Sequence, residues 1–209
     1  MILYYPTDMK ELRLIYETHL KAFPSYFLEQ PFFYPVLNFV YAEQVARDRY
    51  AKSEPFAGYI TRFSLDDTYA TRFEHHNVEG HQYEEFWVPA EQLEEFNHQI
   101  IGHIEITGAY FGLEFHGYIP EKFGMRHRTA IDQFLLLVSE FEYNGMDFQC
   151  EIIANNLAVF LHYPFWMRYD FSKNLEMVGI KKRDQVLQAI REVWSVKFSN
   201  TPLAVLTYD

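Results

Sequence analysis

From Gly58 to Gly112 the chain switches between strand-like and helix-like patterning, and this punctuation constrains the fold more than any other stretch. Gly58-Tyr59-Ile60-Thr61-Arg62-Phe63 sets Tyr59, Thr61 and Phe63 on one side and Ile60 and Arg62 on the other, as a strand requires. After a polar turn region, Glu84-Glu85-Phe86-Trp87-Val88-Pro89 predicts a strand over Glu85 to Val88, with paired carboxylates against an apolar run that ends at a proline. Pro89 suits the first position of a helix, and Glu91 lies in its first turn, where the helix dipole favours negative charge. Leu93 and Phe96 then face inward while Glu94 and Glu95 face water, and Ile104 to Tyr110 predicts a further strand.

Before this stretch, residues 2 to 5 read as a short strand feeding a helix capped by Thr7 or Asp8, with Met9, Leu12, Ile15 and Tyr16 or Leu20 on one side. Pro24, Pro31 and Pro35 forbid a regular helix over residues 23 to 38 and predict an extended, aromatic-rich loop. Val40, Ala42, Val45 and Ala46 suit a helix from Phe39 to Tyr50.

Gly117, Pro120 and Gly124 mark an irregular connection, so the expected division is residues 1 to 112 and 113 to 209. In the second part, Ala130 to Phe141 recurs at helical spacing and Asn144-Gly145 marks a turn. Phe148 to Ile153 and Leu157 to Tyr163 read as a hairpin about Asn155-Asn156. A helix from Lys182 to Trp194 buries Val186, Leu187, Ile190 and Val193, and Leu203 to Thr207 reads as a last strand.

With 49% hydrophobic and 19% aromatic residues, the chain has ample material for a packed core. No run approaches the roughly 18 apolar residues that cross a bilayer, and the first residues lack the pattern of a secretory signal, which sets a cytoplasmic expectation. The net charge of −11 argues against a grip on nucleic acid, which needs clustered Lys and Arg. Residues 1 to 112 carry 8 basic and 17 acidic side chains, against 10 and 12 in the remainder; this is consistent with two functional parts or with one solvated acidic face. The single Cys150 lies in a strand-like run and is expected as a small buried hydrophobe. His75, His76, His81, His98 and His103 lack spacings that converge on a metal, so no metal is expected and the first three are expected in a polar loop. Nucleophile elbows and glycine-rich phosphate cradles are absent as well.

The ordered motifs Phe23-Pro24, Glu29-Gln30-Pro31, Phe33-Tyr34-Pro35-Val36-Leu37-Asn38, Tyr41-Ala42, Ala46-Arg47-Asp48, Gly58 to Phe63 and Glu85-Phe86-Trp87-Val88-Pro89-Ala90-Glu91-Gln92-Leu93-Glu94-Glu95-Phe96-Asn97 carry a resemblance. Over residues 1 to 112 the chain resembles a group of small bacterial proteins described as ADP-ribosylation/crystallin J1, and its organisation is similar to the ADP-ribosyltransferase fold. The resemblance implies an α+β protein: an ADP-ribosyltransferase-like split β-sheet with flanking helices, followed by a smaller C-terminal α+β unit. It implies transfer of ADP-ribose from NAD, or NAD hydrolysis, with NAD as substrate. Glu85 would bind a ribose hydroxyl and stabilise the oxocarbenium-like state as nicotinamide leaves. Thr61 would match the polar residue of the second strand, and Tyr59 or Tyr83 would stack on nicotinamide.

Those transferases place His or Arg in the first strand, where this chain offers Tyr4 and Tyr5. Either Arg62 supplies the missing cation, or the fold only binds. The alternative class is therefore a non-catalytic binding or interaction protein, immunity-like or scaffold, with a protein partner; in the transferase reading the acceptor is a protein or another molecule.

Overall fold

The computed structural model describes residues 1–24, 31–78, 83–171 and 179–206, with the side chains of Val78 and Tyr83 excepted. The chain is mixed α and β with small antiparallel sheets, and it forms two compact units, Met1–Leu113 joined by Val205 and Leu206, and Glu114–Ala204.

In the first unit, β1 (Ile2–Asp8) runs directly into α1 (Met9–Glu17), whose first turn is closed by the Asp8 carboxylate accepting from the Glu11 amide at 2.8 Å. The proline-rich segment that follows yields only β2 (Phe32–Phe33) before α2 (Phe39–Asp48), where Asn38 caps by accepting from the Val40 amide. A 3-10 turn (Tyr50–Lys52) leads to β3 (Ala57–Leu65), the short α3 (Asp67–Ala70), β4 (His75–Val78), β5 (Tyr83–Phe86) and β6 (Val88–Pro89). A second 3-10 turn (Ala90–Gln92), α4 (Leu93–His98) and β7 (Ile100–Phe111) complete the order. Pro89 lies just before the helical residues rather than at their first position.

β3 is the central strand of the sheet β1-β3-β7, with antiparallel partners on both sides. The expected strand at Glu85 to Val88 does not join that sheet as one piece. It divides into β5, which pairs with β4, and β6, which pairs with β2. Val36 forms the bridge: its backbone exchanges hydrogen bonds of 2.8 Å with Tyr4 on β1, and the same residue pairs with Glu85 on β5. Pro35 and Pro31 have no N–H to donate, so this segment contributes isolated bridges in place of a long ladder. His75 and His76, expected in a polar loop, are in β4; His81, like Glu29 and Gln30, lies outside the described residues.

Two layers cover the three-stranded sheet. Leu12 and Ile15 of α1 are fully buried, and Leu93 and Phe96 of α4 are likewise at 0% exposure, with Phe96 in edge contact with Phe33 and Phe63. On the other side, Ala42 and Ala46 of α2 pack with Val36 and Ile60. A Cβ at Gly58 would stand 2.0 Å from the Ala46 carbonyl oxygen, so glycine at this position is what lets the helix lie on the strand.

The second unit is helical over its described residues: α5 (Ala130–Tyr143), α6 (Gly145–Ala154), α7 (Asn156–Arg168) and α8 (Ile180–Lys197). This corrects the expectation of a C-terminal α+β unit with a hairpin over 148–163. Asn144 ends α5 and caps α6, and α7 is buried at nine consecutive positions from Ala158 to Trp166, which removes any apolar period that could distinguish helix from strand. Cys150 accordingly faces solvent on α6 and is not a buried core residue. Leu203 to Leu206 is not a strand, although the Val205 amide donates to the Ile106 carbonyl at 3.1 Å. Among the described residues no helix is long and apolar enough to cross a membrane.

Candidate functional site

Antiparallel partners share a face, so the register sorts the candidate residues. Tyr5 pairs with Thr61 and Thr7 with Tyr59, while Tyr4 pairs with Arg62 and Pro6 with Ile60. Tyr5, Thr61 and Tyr59 therefore lie on the α1 side. Arg62 lies on the α2 side, and so does Glu85, reached through Tyr4 and Val36. The sheet separates the two groups and does not bring them to one point.

On the α1 side, Tyr59 and Thr61 are at 0% exposure, and the Thr61 hydroxyl donates to the Tyr5 carbonyl at 2.8 Å. Burial drives the Tyr59 phenol far above its usual range. These two side chains fill the core. Arg62 is partly exposed and its Nη1 lies 2.8 Å from Glu105 Oε2, a surface pair of small energetic weight. Tyr83 belongs to β5 by its backbone, and its side chain is outside the described residues.

Glu85 sits at a more elaborate place. Its half-buried carboxylate accepts from the Tyr41 hydroxyl at 3.0 Å, and its cross-strand partner is His76. The His76 ring lies 4.2 Å from Trp87, which also contacts Phe32 at 5.5 Å and Tyr34 edge-on at 5.8 Å. All four aromatic side chains are half-buried, and the exposed Glu74 borders them. Glu74 Oε2 lies 3.4 Å from His76 Nε2, a contact that becomes an ion pair when His76 is protonated, and the Glu74 carbonyl accepts from the Trp87 amide. The Trp87 indole N–H is buried and has no hydrogen-bond partner among the described residues. The result is an aromatic surface bordered by two carboxylates, Glu74 and Glu85; Glu84, adjacent on β5, points to the opposite face.

A second cluster escaped the sequence reading. Glu11, in the first turn of α1, is 9% exposed; its Oε2 accepts from the Thr7 hydroxyl at 2.7 Å, and the Tyr5 hydroxyl lies 3.1 and 3.2 Å from its two oxygens. Burial raises the Glu11 carboxyl to about 7, against the lowering effect of the two hydroxyl donors. Burial, and then the Glu11 charge, raises Tyr5 well above its ordinary range, and the same order of causes moves Tyr50 to about 12. The signal was available as a glutamate three residues beyond the capping Asp8, with Tyr5 and Thr7 at alternate strand positions before it.

In the second unit, two buried polar side chains hold the segment preceding α5. Glu151 accepts from the Gly124 and Met125 amides and from Asn155 Nδ2, and the His162 ring accepts at Nε2 from the Tyr118 amide at 2.8 Å. His162 Nδ1 then donates to Gln133 Oε1, and Gln133 Nε2 donates to the Tyr118 and Arg128 carbonyls. Complete burial lowers His162 to about 3, which keeps it neutral. Gly117, at φ +82°, approaches this ring so closely that a Cβ would lie 2.4 Å from Nε2. The Glu151 carboxylate, both His162 ring nitrogens and the Gln133 amide are thus engaged in holding the fold. The same unit carries open grooves of about 520 and 880 Å³ where Phe141 meets Ala189 and Glu192 of α8.

Among the described residues, no three His, Cys, Asp or Glu side chains gather in a way that could hold a metal ion. Comparison with models of known protein families, with curated proteins and with solved structures finds no match.

Proposed function

We propose that this chain is a non-catalytic binding protein, which takes a cationic segment of a protein partner onto the face formed by Phe32, Tyr34, His76, Glu85 and Trp87. The observation that carries this reading is the half-buried Trp87 cluster beside Glu74 and Glu85. An arginine or lysine side chain gains there twice, from the electron-rich ring faces and from the carboxylates, at about 0.5–2 kcal/mol for each cation–π contact. The net charge of −9 over residues 1 to 112 draws such a segment toward the unit. Calorimetry with an arginine-rich peptide and an acidic control of equal length tests the reading. Binding should be selective for the basic peptide, weaken with added salt, and fall about tenfold in Trp87→Ala, which corresponds to about 1.4 kcal/mol. Equal affinity for both peptides would overturn it.

A second reading, transfer of ADP-ribose from NAD or NAD hydrolysis, is favoured by one observation: the Tyr41 hydrogen bond holds the Glu85 carboxylate on the strand that faces His76, whose ring lies tilted against Trp87. Nicotinamide release by the wild type, abolished in Glu85→Gln with folding intact, would support it. Absence of both NAD binding and nicotinamide release would leave the binding reading alone.

A further inference from the structure

The Glu11 carboxyl is a buried acid that the proposed binding face does not use, and its surroundings are arranged for two protonation states. Tyr5 and Asp8 of β1 face it, together with Tyr50 of the 3-10 turn; Tyr59 of β3 lies beside Asp8, and Arg49 acts on Tyr50. Among the described residues, no basic side chain acts directly on Glu11. Hydroxyls therefore compensate its charge.

The Thr7 hydroxyl has two acceptors within reach, Glu11 Oε2 at 2.7 Å and the Asp8 carbonyl at 3.4 Å. We propose that Glu11, Thr7 and the Asp8 carbonyl form a proton-linked hydroxyl switch in the interior of the first unit. With Glu11 ionised, Thr7 donates to the carboxylate. When Glu11 takes up one proton from solvent on Oε2, that new O–H donates to Thr7 Oγ1, and the Thr7 hydroxyl turns to the Asp8 carbonyl. Tyr5, almost equidistant from both oxygens, keeps Oε1 as its acceptor in either state. The Thr7–Glu11 hydrogen bond reverses direction while the Thr7 hydroxyl gains the Asp8 carbonyl as acceptor, so no oxygen of the set is left without a partner when the proton is taken up. Because the Asp8 carbonyl lies at the start of α1, the exchange acts where strand becomes helix.

Carbon-13 NMR of the full chain, with the Glu side-chain carboxyl and the Thr methyl labelled, tests this. Glu11 should titrate with a midpoint at about 7, and the Thr7 methyl should shift with the same midpoint. Glu11→Gln, whose amide donates to Thr7 Oγ1 as the protonated acid does, should abolish the Thr7 transition. Asp8→Asn, which keeps the helix cap, should preserve it. Thr7→Val should raise the Glu11 midpoint further; should that variant not fold, Thr7→Ser retains the hydroxyl and should keep the wild-type midpoint. A Glu11 midpoint at the ordinary 4.5, or a Thr7 methyl that stays still while Glu11 titrates, would overturn the proposal.

Discussion

Tyr41 reaches from α2 to Glu85 on β5 and donates its hydroxyl to the carboxylate at 3.0 Å, so the helix that covers the sheet also fixes the acid at the edge of the aromatic face. Tyr41→Phe removes that donor and leaves the ring. It should lower unfolding free energy by about 1 kcal/mol in denaturant titrations, the ordinary worth of a partly solvated hydrogen bond.

Gly58 and Gly145 should respond oppositely to alanine. At Gly58 the new methyl meets the Ala46 carbonyl, which belongs to backbone and moves only with α2, so the loss should exceed about 2 kcal/mol. At Gly145, the first residue of α6, nothing lies within 4 Å of the added Cβ, and alanine should raise stability by about 0.5–1 kcal/mol through the unfolded chain. Thermal melts of the two variants check both signs.

Glu11 makes the first unit lose stability as pH rises. Its folded value of about 7 lies above the ordinary 4.5, so the native state holds more protons than the unfolded state between these limits. The contribution is complete below 4.5 and gone above about 7, an upper bound of about 3 kcal/mol. Glu11→Gln should flatten this slope in denaturant titrations followed across that range.

His162 acts in the reverse sense on the second unit. Its folded value of about 3 lies below the ordinary 6.5, so its stability is present above 6.5 and drains as pH falls toward 3. Amide exchange should therefore quicken in α5 and α7 on acidification, whereas protection in β1 and α1 should grow on descending from 7 to 4.5. His162→Phe should cost the second unit about 2–4 kcal/mol, since the Tyr118 amide and the Gln133 carbonyl would lose their partner.

Local chemistry was enough to identify several elements. Asp8, offered with Thr7 as a cap, starts α1 by its side-chain acceptor, Ala42 and Ala46 mark the buried side of α2, the Leu93 and Phe96 spacing sets that of α4, and the alternation from Tyr59 to Phe63 assigns neighbouring side chains to opposite sides of β3. The 180–197 helix was legible for the same reason, although Trp194 rather than Val193 completes its buried row. Each of these signals acts between residues a few positions apart.

What tertiary structure decided depends on neighbours remote in sequence. Nine successive buried positions in α7 carry no period, because helices surround it, and so the 148–163 segment read as a hairpin. Alternation separated Thr61 from Arg62, but the covering helices turned Tyr59 and Thr61 into core and left the Arg62–Glu105 pair partly exposed. Glu11 is a surface residue by composition, and it becomes a buried acid because Tyr5 and Thr7 on β1 close over it. The aromatic face needs Val36 to bridge β1 and β5, and a single bridge between distant segments leaves no periodic trace in a chain.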